Sequence, residues 1–399
     1  MPELRFPGFE GEWEEKKLGN LTTKIGSGKT PKGGSENYTN KGIPFLRSQN
    51  IRNGKLNLND LVYISKDIDD EMKNSRTYYG DVLLNITGAS IGRTAINSIV
   101  ETHANLNQHV CIIRLKKEYY YNFFGQYLLS RKGKRKIFLA QSGGSREGLN
   151  FKEIANLKIF TPTIFEEQQK IGQFFSKLDQ QIELEEQKLE LLQQQKKGYM
   201  QKIFSQELRF KDENGEDYPD WENSKIEKYL KERNERSDKG QMLSVTINSG
   251  IIKFSELDRK DNSSKDKSNY KVVRKNDIAY NSMRMWQGAS GKSNYNGIVS
   301  PAYTVLYPTQ NTSSLFIGYK FKTHRMIHKF KINSQGLTSD TWNLKYKQLK
   351  NINIDIPVLE EQEKIGDFFK KMDILISKQK MKIEILEKEK QSFLQKMFL

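Results

Sequence analysis

Two stretches of the chain carry apolar residues at alternating spacings of four and three. From Ile171 they fall at Phe175, Leu178, Ile182, Leu189, Leu192, Tyr199 and Ile203. From Ile365 they fall at Phe369, Met372, Ile376, Ile383, Leu386, Phe393 and Met397. That spacing predicts two long helices, each with a narrow heptad seam. Polar residues interrupt the seams at matching places, Glu185 and Lys196 in the first and Gln379 and Lys390 in the second. Matched interruptions favour mutual pairing over burial against separate cores. An antiparallel register then sets Glu185 opposite Lys390 and Lys196 opposite Gln379. It also aligns Leu189 with Leu386, Leu192 with Ile383, Ile182 with Phe393 and Tyr199 with Ile376. This register is expected because it keeps the seam charges from facing apolar residues. Helices of about 40 residues would each span roughly 60 Å.

Outside these stretches the pattern changes. Short β-like runs at Ile43–Leu46, Val82–Ile86, Val110–Leu115 and Tyr303–Tyr307 alternate with Gly/Asn/Ser turns. Basic, aromatic segments at 119–139 and 315–331 read as helical. Each ends in a glycine-bearing loop, Ser142-Gly143-Gly144-Ser145 and Ser334-Gln335-Gly336. The expected fold class is α+β: two mixed α/β domains separated by two long helices that form an antiparallel coiled coil. The expected boundaries are 1–162, 163–207, 208–357 and 358–399.

The chain is also written twice. Residues 166–175 read EEQQKIGQFF and residues 360–369 read EEQEKIGDFF, eight of ten identical. Leu4-Arg5-Phe6 and Trp13-Glu14 recur as Leu208-Arg209-Phe210 and Trp221-Glu222. Gln201-Lys202-Ile203-Phe204 corresponds to Gln395-Lys396-Met397-Phe398. Between these ends, residues 25–145 and 233–340 have diverged, leaving Asp81-Val82-Leu83-Leu84-Asn85 against Asp277-Ile278-Ala279-Tyr280-Asn281. An internal pseudo-twofold is expected, with Leu399 ending near Leu4.

Charge then sharpens the picture. The 399 residues carry 66 Lys+Arg and 49 Asp+Glu, a formal +17. The helical stretches are neutral: 166–206 and 360–399 hold six and nine Lys+Arg against seven and eight Asp+Glu. The whole excess therefore lies in the divergent domains, where it favours a polyanion. Cys111 is the only cysteine, which fits a reducing cytoplasm. No run of about 18 apolar residues suggests a membrane span, and the N-terminus lacks a signal-peptide apolar core.

Catalytic motifs are not expected. Gly26-Ser27-Gly28-Lys29-Thr30 and Gly288-Ala289-Ser290-Gly291-Lys292-Ser293 resemble phosphate loops, but Thr23 and Trp286 stand where such a loop begins with glycine. No Pro-Pro-aromatic methyltransferase motif occurs. Pro219-Asp220 with Asp258-Arg259-Lys260 is a faint echo of a nuclease metal site. His324 and His328 share helical spacing, yet Arg325 replaces the glutamate of a zinc-protease motif. No metal site is expected.

Residue types suited to DNA are plentiful, because Arg and Lys hold guanine and Asn and Gln hold adenine in the major groove. The base-reading candidates are Arg47, Gln49, Asn50, Arg93 and Arg146 in the first domain, and Asn281, Arg284, Trp286 and Gln287 in the second. Lys132, Lys134, Arg135 and Lys136 suit phosphates, which position a protein without reading sequence.

The duplicated helix starts, Pro162…Glu166-Glu167-Gln168-Gln169-Lys170-Ile171 and Pro357…Glu360-Glu361-Gln362-Glu363-Lys364-Ile365, resemble those of type I restriction–modification specificity subunits. Gly28-Lys29-Thr30-Pro31, Gly42-Ile43-Pro44-Phe45, Gly80-Asp81-Val82-Leu83 and Gly143-Gly144-Ser145 extend the likeness over nearly the whole chain. The resemblance implies a non-catalytic subunit with two target-recognition domains, each reading half of a bipartite double-stranded DNA site. It implies modification (methyltransferase) subunits docked on the helices, joined by restriction (translocase and nuclease) subunits. S-adenosylmethionine, ATP and Mg would then serve those partners, with no cofactor in this chain. Adding a heptad to the helices is expected to change the spacer between half-sites. The second half departs from the early Gly-Thr-Pro pattern, having Arg233-Asn234-Glu235-Arg236 there. Two other readings stay open: a coiled-coil assembly adaptor that reads no DNA, separable by salt-sensitive binding to a defined duplex, and a nucleotide-hydrolysing enzyme, separable by an ATPase assay.

Overall fold

The computed structural model describes residues 2–141, 148–258, 263 and 266–398. The chain forms two compact units, 1–187 with 381–399, and 188–380. The two long helices, Phe165–Phe204 and Leu359–Lys396, each contribute to both.

In the first unit a four-stranded antiparallel sheet runs in the order Thr22–Ser27, Val110–Leu115, Val82–Asn85, Thr94–Ile96. Its strand Val82–Asn85 is buried throughout, which accounts for the unbroken apolar run Val82-Leu83-Leu84. Val82 and Leu84 join one core cluster with Cys111 and Ile113, while Leu83 joins another with Val110 and Ile112. That is the two-residue alternation of a strand covered on both faces. A second sheet orders Val62–Ile64, Ile43–Leu46 and Asn105–Leu106. The backbone at Gly28 crosses this region so closely that a Cβ would sit 1.7 Å from the Leu106 carbonyl oxygen.

The second unit repeats the strand order with Leu230–Glu232, Tyr303–Pro308, Ile278–Asn281 and Ser290–Lys292. Ser290–Lys292 is thus a sheet strand, and its resemblance to a phosphate loop ends there. Each segment that reads as one basic helix is two. Tyr121–Leu129 is followed by Arg131–Leu139, which starts where the Ser130 hydroxyl accepts from the Gly133 N–H. Ser314–Lys320 is followed by His324–Asn333, which starts where Thr323 accepts from Met326. A side-chain cap of this kind satisfies an orphan helix donor and permits a new start.

The repeated motifs turn out to be anchors. Glu167 is fully buried and receives the Arg5 guanidinium at 2.7 Å on both oxygens and the Trp13 indole at 3.3 Å. Glu361 does the same with Arg209 at 3.1 and 2.7 Å and Trp221 at 3.2 Å. Gln168 accepts from the Tyr120 N–H and donates to the Pro162 carbonyl, both at 3.0 Å. Gln362 accepts from Ser313 at 2.9 Å and donates to Pro357 at 2.8 Å. A buried carboxylate is tolerated only with such partners. Gly172 lets the long helix approach the Tyr121–Leu129 helix, since a Cβ there would meet the Tyr120 ring at 2.6 Å.

Within each unit the long helices run antiparallel. In the first unit Asp179 pairs with Lys390 and Glu185 with Lys382, and Phe175 stacks on Phe398 at 5.7 Å. In the second unit Lys196 meets Asp373 at 2.6 Å, and Phe204 stacks on Phe369 at 5.8 Å. The register therefore differs from the expected one. Glu185 meets Lys382 rather than Lys390, Lys196 meets Asp373 rather than Gln379, and Lys390 meets Asp179 rather than Glu185. The partners lie eight, six and six residues away, a slide of about one heptad. The physical reason is reach: Lys196 and Lys390 bury their stems in the seam while their ammonium groups extend to carboxylates beside it. Leu4 donates its N–H to Lys396 at 3.1 Å, as Leu208 does to Lys202 at 3.1 Å. Leu399 lies outside the described residues.

Candidate nucleic-acid interface

In the first unit the base-reading candidates divide. Asn50 has no exposed surface; its amide donates to the Asn57 carbonyl at 2.9 Å and accepts from the Arg47 N–H at 2.9 Å. A side chain so enclosed cannot reach a base edge, and the expectation for Asn50 is corrected. Arg47 is half-buried, donates to the Asp60 carbonyl at 2.9 Å and lies 5.6 Å over the Tyr38 ring. Both contacts hold the guanidinium against its own loop. Gln49 is exposed and Arg93 half-exposed, and neither side chain bonds to the described residues. Asn85 brings their loops together, donating to the Ser48 carbonyl at 2.9 Å and to the Ser90 hydroxyl at 3.1 Å. Arg146 lies outside the described residues, as do Arg259 and Lys260.

On the helix Arg131–Leu139, Lys132, Lys134 and Arg135 are exposed and make no ion pair with the described residues. Lys136 differs. Burial lowers its pKa, and its ammonium donates to the Lys158 carbonyl beside the Tyr127 and Phe160 rings. In the second unit Lys329 makes the matching bond to Asn353 at 2.6 Å. Lys136 is therefore part of the repeated scaffold, and the phosphate-contact expectation for it is corrected.

In the second unit the candidates converge on one surface. The Asn281 carboxamide accepts from the Met283 N–H at 3.0 Å, shaping the turn that leads to Arg284. Arg284 is exposed, and its guanidinium has no partner among the described residues. Trp286 is half-exposed, donates its indole N–H to the Met283 carbonyl at 3.1 Å, and meets Trp342 edge-on at 5.3 Å. Gln287 is half-buried beside it. Lys331 lies 5.7 Å over the Trp342 ring. Lys322 holds this turn in place by donating to the Gly288 carbonyl and, at 2.7 Å, to the Ile247 carbonyl. Burial pushes the Lys322 pKa down to about 8. The departing segment Arg233–Arg236 is tied down, with Arg233 bidentate on Asp277 at 2.7 and 2.9 Å.

Sequence reading missed Lys322 and Trp342, and marked the loop before Trp342 only by its start at Ser334-Gln335-Gly336. Tryptophan in a Ser/Thr-rich turn was the available signal for Trp342. Among the described residues no group of His, Cys, Asp and Glu is arranged to hold a metal, and no helix is long and apolar enough to cross a membrane.

A family model described as the type I restriction modification DNA specificity domain matches residues 10–194 and again residues 218–388. The chain belongs to this family. Its two specificity domains share the sheet order and helix anchors described above. The putative type I restriction enzyme MjaX specificity subunit of Methanocaldococcus jannaschii is 27% identical over 231 residues, 55% of this chain and 53% of that protein. The type I restriction enzyme EcoBI specificity subunit of Escherichia coli is 31% identical over 144 residues, 35% of this chain and 30% of that protein. The chain thus spans about half or less of the length of these relatives. The crystal structure of a type I restriction-modification system S subunit from M. genitalium shares the fold, with a TM-score of 0.61 and 14% identity over 100% of this chain and 99% of that one. A chain from a structural study of assembly and conformational transition in a type I system matches with a TM-score of 0.55 and 16% identity, covering 96% of this chain and 97% of that one.

Proposed function

We propose that this chain is the non-catalytic specificity subunit of a type I restriction–modification complex, in which each specificity domain reads one half of a bipartite duplex target. The observation that carries this reading is a contrast between the two domains. What they share is buried: Glu167 and Glu361 with their arginines, Gln168 and Gln362, and the central strands. What differs is exposed or half-exposed, as with Gln49, Lys132, Lys134 and Arg135 in one and Arg284, Trp286 and Trp342 in the other. A duplicated scaffold with diverged, cationic loops suits two readers of different half-sites. The long helices would dock modification subunits, with restriction subunits joining them. Methyl transfer from S-adenosylmethionine and ATP- and Mg-dependent steps would belong to those partners.

Selection from a random duplex pool tests this reading. The full chain with its modification partners should enrich two short motifs at a fixed spacing. Its affinity should fall steeply with salt as phosphate contacts release counterions. A chain that only assembles proteins would enrich no sequence.

A further inference from the structure

Residues 335–343 form a closed finger in the second specificity domain. The Gln335 N–H donates to the Asn343 carbonyl at 3.0 Å, and the Asn343 N–H returns to Gln335 at 2.8 Å. Gln348 braces the base by donating to the Gln335 side chain at 3.0 Å. The Thr341 hydroxyl donates to the Thr338 carbonyl at 2.9 Å and tightens the tip. Gly336 takes φ 151, which opens the turn, and any Cβ there would strike Thr341 at 2.7 Å. Beyond the finger, the Leu344 N–H donates to the Ser282 carbonyl at 2.9 Å. The Trp286–Trp342 contact makes a second tie to the Arg284 turn. Finger and turn are thus one surface.

Two side chains at the tip have no structural task. Leu337 is fully exposed, so its whole side chain is open to a partner. Asp340 is exposed and forms no ion pair with the described residues. An acidic group cannot be a phosphate contact, yet Lys331 over the Trp342 ring and Arg284 on the tied turn are cations suited to a phosphate-lined groove. Only in the major groove do base edges offer both an apolar partner, the thymine methyl, and amino donors on adenine and cytosine that a carboxylate accepts. The minor groove presents no methyl, and its sole amino donor is that of guanine.

We propose that this finger enters the major groove of duplex DNA, where Leu337 covers a thymine methyl, Asp340 accepts from an adenine or cytosine amino group, and Trp342 with Trp286 forms the wall behind them. The inference rests on the DNA-reading function proposed above and names the element that performs it in the second domain. Its first-domain counterpart in chain order, residues 142–147, lies outside the described residues.

The test repeats duplex selection with the full chain and its modification partners, using wild type, Leu337→Ala and Asp340→Asn. Wild type should enrich a bipartite target. Each variant should relax one or two adjacent positions of a single half-site by about tenfold, leaving the other half-site and the salt dependence unchanged. Replacing thymine by uracil at the Leu337 position should weaken wild type several-fold and leave Leu337→Ala indifferent. If wild type enriches a bipartite target and both variants enrich the identical one, the finger is not a reader. If wild type enriches no target, the DNA-reading function itself fails, and the finger with it. Retention of the other half-site shows that the variants are folded.

Discussion

Residues that suit DNA by type divide into two groups once their surroundings are known. Lys136 and Lys329 cap strand carbonyls, and Arg47 and Asn50 close a loop. Arg284 and Lys134 have no internal task among the described residues, so they should behave differently in solution. Arg284→Ala is expected to relax preference at one position, costing about 1–3 kcal/mol against the cognate duplex only. Lys134→Ala should weaken cognate and scrambled duplexes alike and reduce the salt slope by about one. Competition binding across a salt series separates them, and equal losses on both duplexes would count against base reading by Arg284. A further residue-scale expectation concerns acid stability. Burial would raise the Asp69 pKa, but hydrogen bonds from Arg76, Asn105 and His103 outweigh it and hold the carboxyl below its ordinary value of 3.8. A depressed carboxylate contributes stability that is present above its unfolded pKa and lost as pH falls through the folded one. The first unit should therefore weaken as pH drops below about 4. Asp69→Asn should be less stable at neutral pH and show a shallower acid transition in denaturant titrations.

At the scale of elements, much of the molecule was legible because it is encoded twice. The helix starts, the seam interruptions and the strand Val82–Asn85 with its partner Ile278–Asn281 all stood out on self-comparison. The register did not. Seam positions alone favoured Glu185 against Lys390, whereas Lys390 and Lys196 reach Asp179 and Asp373, which flank the seams. Asp179 and Asp373 are themselves equivalent in the repeat, as are Lys196 and Lys390, so both ion pairs belong to one design used twice. Sequence spacing counts positions along a helix but not the length of a lysine stem. The candidate base-reading loops were hidden for a related reason: composition does not reveal which loop is braced at its base, and only the Gln335–Asn343 and Leu344–Ser282 bonds expose the finger. The observed register predicts that Lys390→Glu and Asp179→Lys will each destabilise by about 1–3 kcal/mol, because each leaves like charges close together in a partly buried seam. The double exchange should recover most of the loss, a coupling that a double-mutant cycle of unfolding free energies measures directly. Additive losses would place the two side chains apart.

At the scale of the whole chain, charge and chemistry divide along the repeat. The neutral long helices carry none of the +17 excess, and the specificity domains carry exposed cations and aromatics that differ between the two copies. Such a chain has no use for catalytic residues of its own if its partners methylate and cleave. On the proposed function, its task would be to present two independent readers. The measurement that tests this most directly is a domain exchange: residues 25–145 are replaced by the equivalent domain of a relative, and methylated bases are mapped in DNA from cells carrying the complex. One half of the methylated target should change to the donor's half-site while the other half stays as it was. A change in both halves, or in neither, would contradict independent reading by the two domains.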